Sequence, residues 1–197
     1  MKITLVRHPQ TYDNVKKRMT GYYNNTRLTP IGKKQAEYTA RHLAKQDFDI
    51  IYSSDLTRCR QLALKVKKLR PDIPLIVTKI LRERDFGEYD RMLTKKYVLF
   101  ESKAKDRNKL RPPNGESRND AHKRINKFIE SIKKKKHKHA LIITHGGIKR
   151  IYLNKTLNLR LTYAHSHHVG ISVIDPDTKR VYKLYDVSHL PKSLRTV

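Results

Sequence analysis

The stretch Lys2–Asn14, KITLVRHPQTYDN, places a short apolar segment directly before a charged pair. Residues Ile3 to Val6 are apolar or β-branched, which predicts a strand buried on both faces. The apolar pattern ends at Arg7 and His8, and Pro9 then stops the strand. A buried strand that ends on a guanidinium and an imidazole suggests a site at its carboxyl end, provided that other strands bring polar partners there.

Strands and helices alternate along the rest of the chain. Thr29 as N-cap and Pro30 at the first helical position predict a helix with alanines and Leu43 on its buried face. Ser117 is predicted to cap another helix of the same kind. The remaining predicted elements are strands at 48–54, 74–78 and 139–144, a helix at 56–69, and a helix that opens at Gly146-Gly147.

This alternation predicts an α/β fold, in which a mostly parallel sheet carries helices on both faces. Residues 170–187 read as two strands joined by the turn Asp175–Thr178, and they are expected to add an antiparallel edge. The whole chain, 1–197, is predicted to be one domain. Residues 84–113 show no clear period and many basic residues, so we interpret them as an inserted, partly helical cover over the substrate.

Charge is the strongest global signal. The chain has 45 Lys and Arg against 18 Asp and Glu, a formal net charge of +27, which predicts anionic partners. Nucleic acid is a possible partner but not the favoured one, because the basic residues are scattered and tryptophan is absent. The dense run Lys133–Lys138 is interpreted as the solvated end of a helix, with binding of RNA, DNA or another polyanion as the alternative.

Neither a membrane span nor a disulfide is expected. No apolar run approaches the roughly 18 residues of a transmembrane helix, and the apolar start is too short for a signal-peptide core. Cys59 is the only cysteine. These features predict a soluble, cytoplasmic protein; they leave its oligomeric state open.

Three of the predicted strands end in polar residues, namely Arg7-His8, Ser53-Ser54 and Thr144–Gly147. In open α/β sheets, ligands bind outside the carboxyl ends of the strands. With Arg58 and Glu83, this rim combines two histidines, two arginines and a carboxylate. Guanidinium groups bind phosphate oxygens, an imidazole can act as nucleophile, and a carboxylic acid can protonate a leaving oxygen. The set therefore favours phosphoryl transfer.

Motifs in the same order extend this interpretation. The segments LVRHPQTYDN, GYYNNTRLTPIGKKQA, YSSDLTRCRQLA, LRERDFGEYD, NGES and ITHGG resemble the successive motifs of the histidine phosphatase (phosphoglycerate mutase-like) superfamily. The closing YDVSHL is similar to the usual ending of that family. The resemblance covers nearly the whole chain and implies a three-layer sandwich of the phosphoglycerate mutase type.

The resemblance also implies roles for individual residues. His8 would become transiently phosphorylated, with Arg7, Arg58 and His145 holding the phosphoryl oxygens. Glu83 would act as general acid and then as general base. Asn14, Gly21 and Gly146 would lie at the substrate, and no metal ion or other cofactor would be needed.

One residue departs from the family pattern, because Pro9 stands where the family shows glycine after Arg-His. Proline fixes its own φ and lacks an N–H. A phosphate contact through that N–H would be lost, whereas a backbone carbonyl that accepts a hydrogen bond from the His8 ring would be retained.

Several alternatives compete with these assignments. From the residues alone, Asp85 or Glu88 could replace Glu83, and an ion pair with Arg82 or Arg84 would explain any of these carboxylates. Arg60 could replace Arg58. Asp175 and Asp177 could be a nucleophile pair but are better explained as a turn. His165, His167 and His168 could bind a metal but are better explained as a polar loop near the site.

At the level of function, the sequence predicts a phosphomonoester hydrolase that acts on a small phosphorylated metabolite through a phosphohistidine. A phosphoglycerate-mutase-type phosphotransferase is the first alternative, disfavoured because mutases of the family are typically longer. A non-catalytic protein that binds polyanions or nucleic acid is the second. The basic segment 84–113 favours a polyanionic substrate such as a bisphosphate or a nucleotide.

Overall fold

A computed structural model describes residues 1–197. Its centre is one six-stranded sheet with the order β3-β2-β4-β1-β5-β6. The strands are β1 (Lys2–Arg7), β2 (Ile50–Ser54), β3 (Leu75–Thr78), β4 (His139–Thr144), β5 (Ile171–Asp175) and β6 (Arg180–Asp186). The first four are parallel, while β5 pairs antiparallel with β1 and β6 antiparallel with β5. The predicted fold class and the antiparallel edge are confirmed.

Six helices accompany the sheet: α1 (Tyr12–Val15), α2 (Pro30–Leu43), α3 (Thr57–Leu69), α4 (Thr94–Ser102), α5 (Arg118–Lys133) and α6 (Gly146–Leu157). The two predicted caps are present. The Thr29 hydroxyl accepts a hydrogen bond from the Gly32 amide, and Ser117 forms a capping box with Asp120. Helix α5 ends at Lys133, and the lysines that follow are exposed, as expected for a solvated helix end.

Two apolar cores of 18 buried residues each flank the sheet. One contains Ile125 and Ile129 of α5 and Tyr152 of α6, packed against one face of the strands. The other contains residues of α2 and α3 such as Leu43 and Leu62, packed against the opposite face. The alternating side chains of each central strand are therefore buried on both sides, which gives the three layers predicted from the sequence.

The carboxyl ends of β2, β4 and β1 lie next to one another. Arg7 pairs with Thr144 across β1 and β4, and Ser53 pairs with Ile143 across β2 and β4. Because β5 runs antiparallel to β1 and its first residue, Ile171, pairs with Val6, the loop before β5 also arrives at this rim. The fold thus brings four separate chain segments to one edge of the sheet.

The segment 84–113 is partly helical, as predicted. It holds a short 3₁₀ turn at Gly87–Tyr89 and the helix α4. Phe86 and Tyr97 of this segment form a small apolar cluster with Met19. This cluster anchors the segment beside the rim of the sheet.

No helix in the structure is both long enough and apolar enough to span a membrane.

Candidate active site

A cavity of about 240 Å³ opens over the carboxyl ends of the parallel strands. Fifteen residues line it, among them Arg7, His8, Asn14, Glu83 and Gly146. Three further predicted residues, Arg58, His145 and Gly21, are buried behind this wall. All eight predicted site residues thus lie in or directly behind one region of the structure.

The His8 ring is held in one tautomer. Its Nδ1 donates to the carbonyl of Pro9 at 2.7 Å, and a carbonyl can only accept, so the proton is on Nδ1 and Nε2 keeps its lone pair. Burial, together with the nearby charges of Arg58 and Arg7, lowers the pKa of His8 well below its ordinary value. The ring is therefore neutral at pH 7, as a nucleophile must be. The expected carbonyl contact is present despite the replacement of glycine by Pro9.

Arg7 brings a buried positive charge to the cavity. One Nη donates to the backbone carbonyl of Ser166, while Nε is buried and has no partner in the protein. Burial lowers the pKa of Arg7 to about 10, so the guanidinium stays charged at neutral pH. An unpaired, buried N–H beside the nucleophile can donate to a phosphoryl oxygen.

The Glu83 carboxylate is fixed at the N-terminus of α6. It accepts from three backbone amides, those of Gly147 at 2.8 Å, Ile148 at 3.0 Å and Arg84 at 2.9 Å. The amides at a helix N-terminus carry partial positive charge, which suits a carboxylate. Three donors hold the group in one orientation at the wall of the cavity that contains His8.

The alternatives to Glu83 occupy other positions. Asp85 and Glu88 do not line the cavity. The nearby arginines are also engaged elsewhere, since Arg82 pairs with Asp55 at 2.6 Å and Arg84 lies 3.8 Å from Glu101. Glu83 therefore faces the cavity without an ion pair to either neighbouring arginine.

Arg58 and His145 form a buried pair behind the nucleophile. Arg58 Nε donates to His145 Nδ1 at 3.2 Å, and the other guanidinium nitrogens donate to backbone carbonyls, including that of Gly21 at 3.2 Å. His145 Nε2 consequently carries the proton and donates to the Ser54 hydroxyl at 2.9 Å. The His145 ring centroid is 5.2 Å from that of His8. Arg60, by contrast, is exposed, so the choice of Arg58 agrees with its burial.

Asn14 lies at the end of a hydrogen-bonded chain. Its Oδ1 accepts from the Thr11 amide at 3.0 Å and from His168 Nε2 at 3.0 Å. The opposite nitrogen of His168, Nδ1, meets the hydroxyl of Thr196 at 2.9 Å, and that hydroxyl accepts from Gln35 at 2.9 Å. Since Oδ1 is occupied, the amide NH₂ of Asn14 remains the group able to donate to a ligand in the cavity.

The glycines of the site allow close approach. A Cβ on Gly146 would lie 3.0 Å from Arg7 Nε, and one on Gly147 would lie 2.5 Å from a Glu83 oxygen. A Cβ on Gly21 would meet the Phe86 ring at 2.9 Å. Gly21 lies behind the cavity wall, where its carbonyl accepts from Arg58.

Several lining residues were not identified from the sequence. They include Gly147, the basic pair Lys17-Arg18, Tyr163 and Ser166. Gly147 follows the predicted site residue Gly146, but its hydrogen bond to Glu83 joins two residues that are 64 positions apart in the chain. Tyr163 and Ser166 come from the loop before β5, whose path to the rim depends on the antiparallel pairing of that strand.

The other candidate sets have structural explanations. Residues 176–179 form the turn between β5 and β6, as expected. Of the three clustered histidines only His168 is buried at the site, with its ring 6.1 Å from His8, and no group of three or more His, Cys, Asp or Glu side chains could hold a metal ion. Burial raises the pKa of the Cys59 thiol to about 12, which makes it a poor nucleophile.

Comparisons with known proteins identify the family of the chain. A sequence model of the histidine phosphatase superfamily (branch 1) matches residues 3–185. A metal-independent phosphoserine phosphatase of Arabidopsis thaliana is 32% identical over 96% of this chain and 83% of that protein. A 2,3-bisphosphoglycerate-dependent phosphoglycerate mutase of Cytophaga hutchinsonii is 31% identical over 75% of this chain and 73% of its own length.

Among solved structures, Bacillus stearothermophilus YhfR has the same fold, with a TM-score of 0.81, 24% identity, and coverage of 95% of this chain and 98% of that one. The family match spans nearly the whole chain. The residues of its motifs surround one cavity. This chain therefore belongs to the histidine phosphatase superfamily (branch 1) and is a phosphatase.

Proposed function

We propose that the chain hydrolyses small phosphomonoesters in two steps, with His8 as the phosphoryl acceptor. In the first step Glu83 starts as the carboxylic acid. His8 Nε2 attacks phosphorus, the bond from phosphorus to the ester oxygen breaks, and the Glu83 acid gives its proton to the departing oxygen. Arg7 and the amide of Asn14 donate to the phosphoryl oxygens. Positioning and charge neutralisation are expected to supply most of the rate.

In the second step water attacks the phosphohistidine. Glu83, now ionised, accepts a proton from this water, the bond between phosphorus and Nε2 breaks, and inorganic phosphate leaves. His8 and Glu83 are then back in their starting states. Arg58 and His145 are assigned to the phosphoryl oxygens in both steps. The buried guanidinium of Arg58 places positive potential close behind His8, and the neutral His145 ring accepts from Arg58 Nε and holds it there.

One observation carries this proposal: the Pro9 carbonyl fixes the proton of His8 on Nδ1, and the neutral ring lines the same cavity as Glu83. This combination supplies a nucleophile and a proton donor in one site. A metal-bound water is not required for the chemistry, because the imidazole itself attacks phosphorus.

The rest of the chain is assigned to the same function. We propose that residues 1–197 form a single domain and that the segment 84–113 covers the substrate, since its Phe86 and Thr94 line the cavity. The volume of about 240 Å³ suits a small metabolite. The single, free Cys59 supports a cytoplasmic location.

Hydrolysis of an aryl phosphate in the presence of a metal chelator tests the proposal. We expect turnover that survives chelation and is abolished in His8→Ala. Phosphate released at the same rate by His8→Ala would refute the assignment of the nucleophile. Trapping of phosphate on His8 after acid-free quenching provides a second, independent readout.

The relative named as a mutase supports one competing function. A mutase passes the phosphoryl group to a second hydroxyl of a phosphoglycerate instead of to water. Incubation with a monophosphoglycerate distinguishes the two, because an isomerised product indicates transfer and free phosphate indicates hydrolysis. We propose that free phosphate is the main product.

A further inference from the structure

Lys149 of α6 is a fully buried lysine without an acidic partner. Its side chain is shielded from water, and none of the ion pairs of the structure includes it. Lysine is almost never fully buried unless it is paired, because burial removes its amino group from water. An apolar side chain of similar size would pack among the buried residues of α6, such as Ile148 and Tyr152, without this cost. The contacts of the amino group must therefore explain the residue.

The amino group of Lys149 contacts two groups outside α6. Its Nζ donates to the backbone carbonyl of Gly170 at 2.6 Å and lies 4.1 Å from the centre of the Tyr185 ring. Burial, with the nearby charge of Arg7, lowers the pKa of Lys149 well below its ordinary value. A neutral amine still carries N–H groups, so the bond to Gly170 is available in both protonation states. This bond joins α6 to the residue that precedes β5.

Gly170 closes a tight turn at 167–170. Its amide donates to the carbonyl of His167 at 3.1 Å, which leaves His168 and Val169 at the two central positions. Val169 has a φ of +51°. A positive φ is unfavourable for a β-branched residue and persists only where surrounding contacts hold it. The bond from Lys149 to Gly170 is one such contact, and the burial of the Val169 side chain in the apolar core is another.

The segment 166–170 also contacts the two residues that are assigned to donate to the phosphoryl group from the wall of the cavity. The carbonyl of Ser166 accepts from Arg7, and His168 Nε2 donates to Asn14 Oδ1 at 3.0 Å. Lys149 itself does not line the catalytic cavity. An effect of its hydrogen bond on the bound phosphoryl group must therefore pass through this segment.

A second contact joins the segment to α6, and it is weaker. Arg150 donates to the Ser166 hydroxyl at 3.3 Å, near the upper limit for a hydrogen bond, and its side chain is only partly buried. The bond from Lys149 is shorter and is protected from competition by water. Lys149 thus supplies the stronger of the two links between α6 and the segment 166–170.

We propose that Lys149 is a positioning residue for phosphate binding: its bond to Gly170 holds the segment 166–170, and this segment holds Arg7 and Asn14 in place. The inference rests on the proposed function, because it takes Arg7 and Asn14 as the donors to the phosphoryl oxygens. Lys149 makes no contact with the substrate and takes no part in proton transfer.

The affinity for inorganic phosphate, measured by titration calorimetry, tests this role without requiring turnover. Lys149→Met keeps the length of the side chain and removes its donor. We expect the Kd for phosphate to rise by roughly 5- to 50-fold, the scale of one or two hydrogen bonds. Should this variant fail to fold, Lys149→Gln, which keeps an N–H donor on a shorter side chain, replaces it in every comparison with a smaller expected rise.

A control variant separates positioning from a general loss of stability. Thr4 is buried near the other end of β1, where its hydroxyl is bonded to His139 Nε2 at 2.9 Å. Thr4→Val also removes a buried hydrogen bond, but far from the segment 166–170, and it should leave the Kd for phosphate unchanged. An equal rise of Kd in Thr4→Val and Lys149→Met would overturn the positioning role.

A double variant separates positioning from the loss of positive charge. If Lys149 acts through the turn that carries His168, the rise of Kd in Lys149→Met/His168→Leu should be smaller than the product of the two single effects. A rise equal to that product would show that Lys149 acts independently, as a distant charge does, and would refute the inference.

The outcomes also distinguish this inference from the proposed function. If aryl phosphate is hydrolysed with dependence on His8, but folded Lys149→Met binds phosphate as tightly as the wild type, the positioning role is wrong and the catalytic site stands. If aryl phosphate is not hydrolysed at all, the proposed function fails whatever the Kd values are.

Discussion

Gly147 and Glu83 are in closer contact than a residue with a side chain at position 147 would permit. The Gly147 amide donates to the Glu83 carboxylate at 2.8 Å, and a Cβ at this position would lie 2.5 Å from Oε1. The first turn of α6 thus both holds the carboxylate and leaves room for it.

Gly147→Ala is expected to displace the Glu83 carboxylate and to lower kcat/KM for alkyl phosphates by roughly 10- to 100-fold, since small errors in position are costly in catalysis. Steady-state kinetics with the folded variant measures this effect. Unchanged kinetics would mean that Glu83 adapts without loss and that its tight placement is not needed.

Glu83→Gln should lower the rate on alkyl phosphates by roughly 10²- to 10⁴-fold, the usual contribution of general acid catalysis. The loss should be smallest for aryl phosphates that carry good leaving groups, because these need no proton. A comparison of rates across leaving groups of different pKa tests this. An equal loss for all leaving groups would assign another role to Glu83.

His168 is expected to act on the substrate only through Asn14. His168→Leu removes one donor to Asn14 Oδ1 and leaves the amide held only by Thr11. We therefore expect weaker inhibition by inorganic phosphate and a KM raised by up to roughly tenfold, the loss of about one hydrogen bond. The double variant Asn14→Ala/His168→Leu should be no worse than Asn14→Ala.

Additive losses in that double variant would contradict the positioning role. Thr196→Val offers a milder test of the same chain, because it removes the hydroxyl contacts to His168 Nδ1 and to Gln35 but leaves the bond from His168 to Asn14 in place. Its effect should have the same direction and a smaller size.

His189 should make the stability dependent on pH. Burial, with the neighbouring ring of His42, lowers the pKa of His189 to about 4. Between that value and its ordinary pKa the unfolded chain binds a proton that the folded chain does not. The contribution of His189 to the free energy of unfolding is therefore fully present above about pH 6.5. It is lost as the pH falls toward 4, by up to about 1.4 kcal/mol per pH unit.

Urea unfolding at several pH values between roughly 7.5 and 5 tests this prediction, because that range spans the ordinary pKa of histidine. In His189→Gln the free energy of unfolding should depend less steeply on pH than in the wild type. A slope that the substitution leaves unchanged would show that His189 is not the group responsible.

The sequence by itself was sufficient for the local and repetitive features. The caps Thr29 and Ser117, the buried strands, and the polar residues at the strand ends each depend on neighbours in the chain, so their patterns could be recognised directly. Parallel strands bring their carboxyl ends to one edge of the sheet. For this reason the sequence alone predicts that Arg7 and His8 lie near the segment at His145.

The tertiary structure alone decided which groups meet across long distances. No periodic pattern in the sequence indicates the approach of Gly147 to Glu83 or the hydrogen-bonded chain from Thr196 through His168 to Asn14. The physical reason is that such contacts depend on the packing of helices and the return path of the loop before β5, and these are set by the burial of the whole core rather than by adjacent residues.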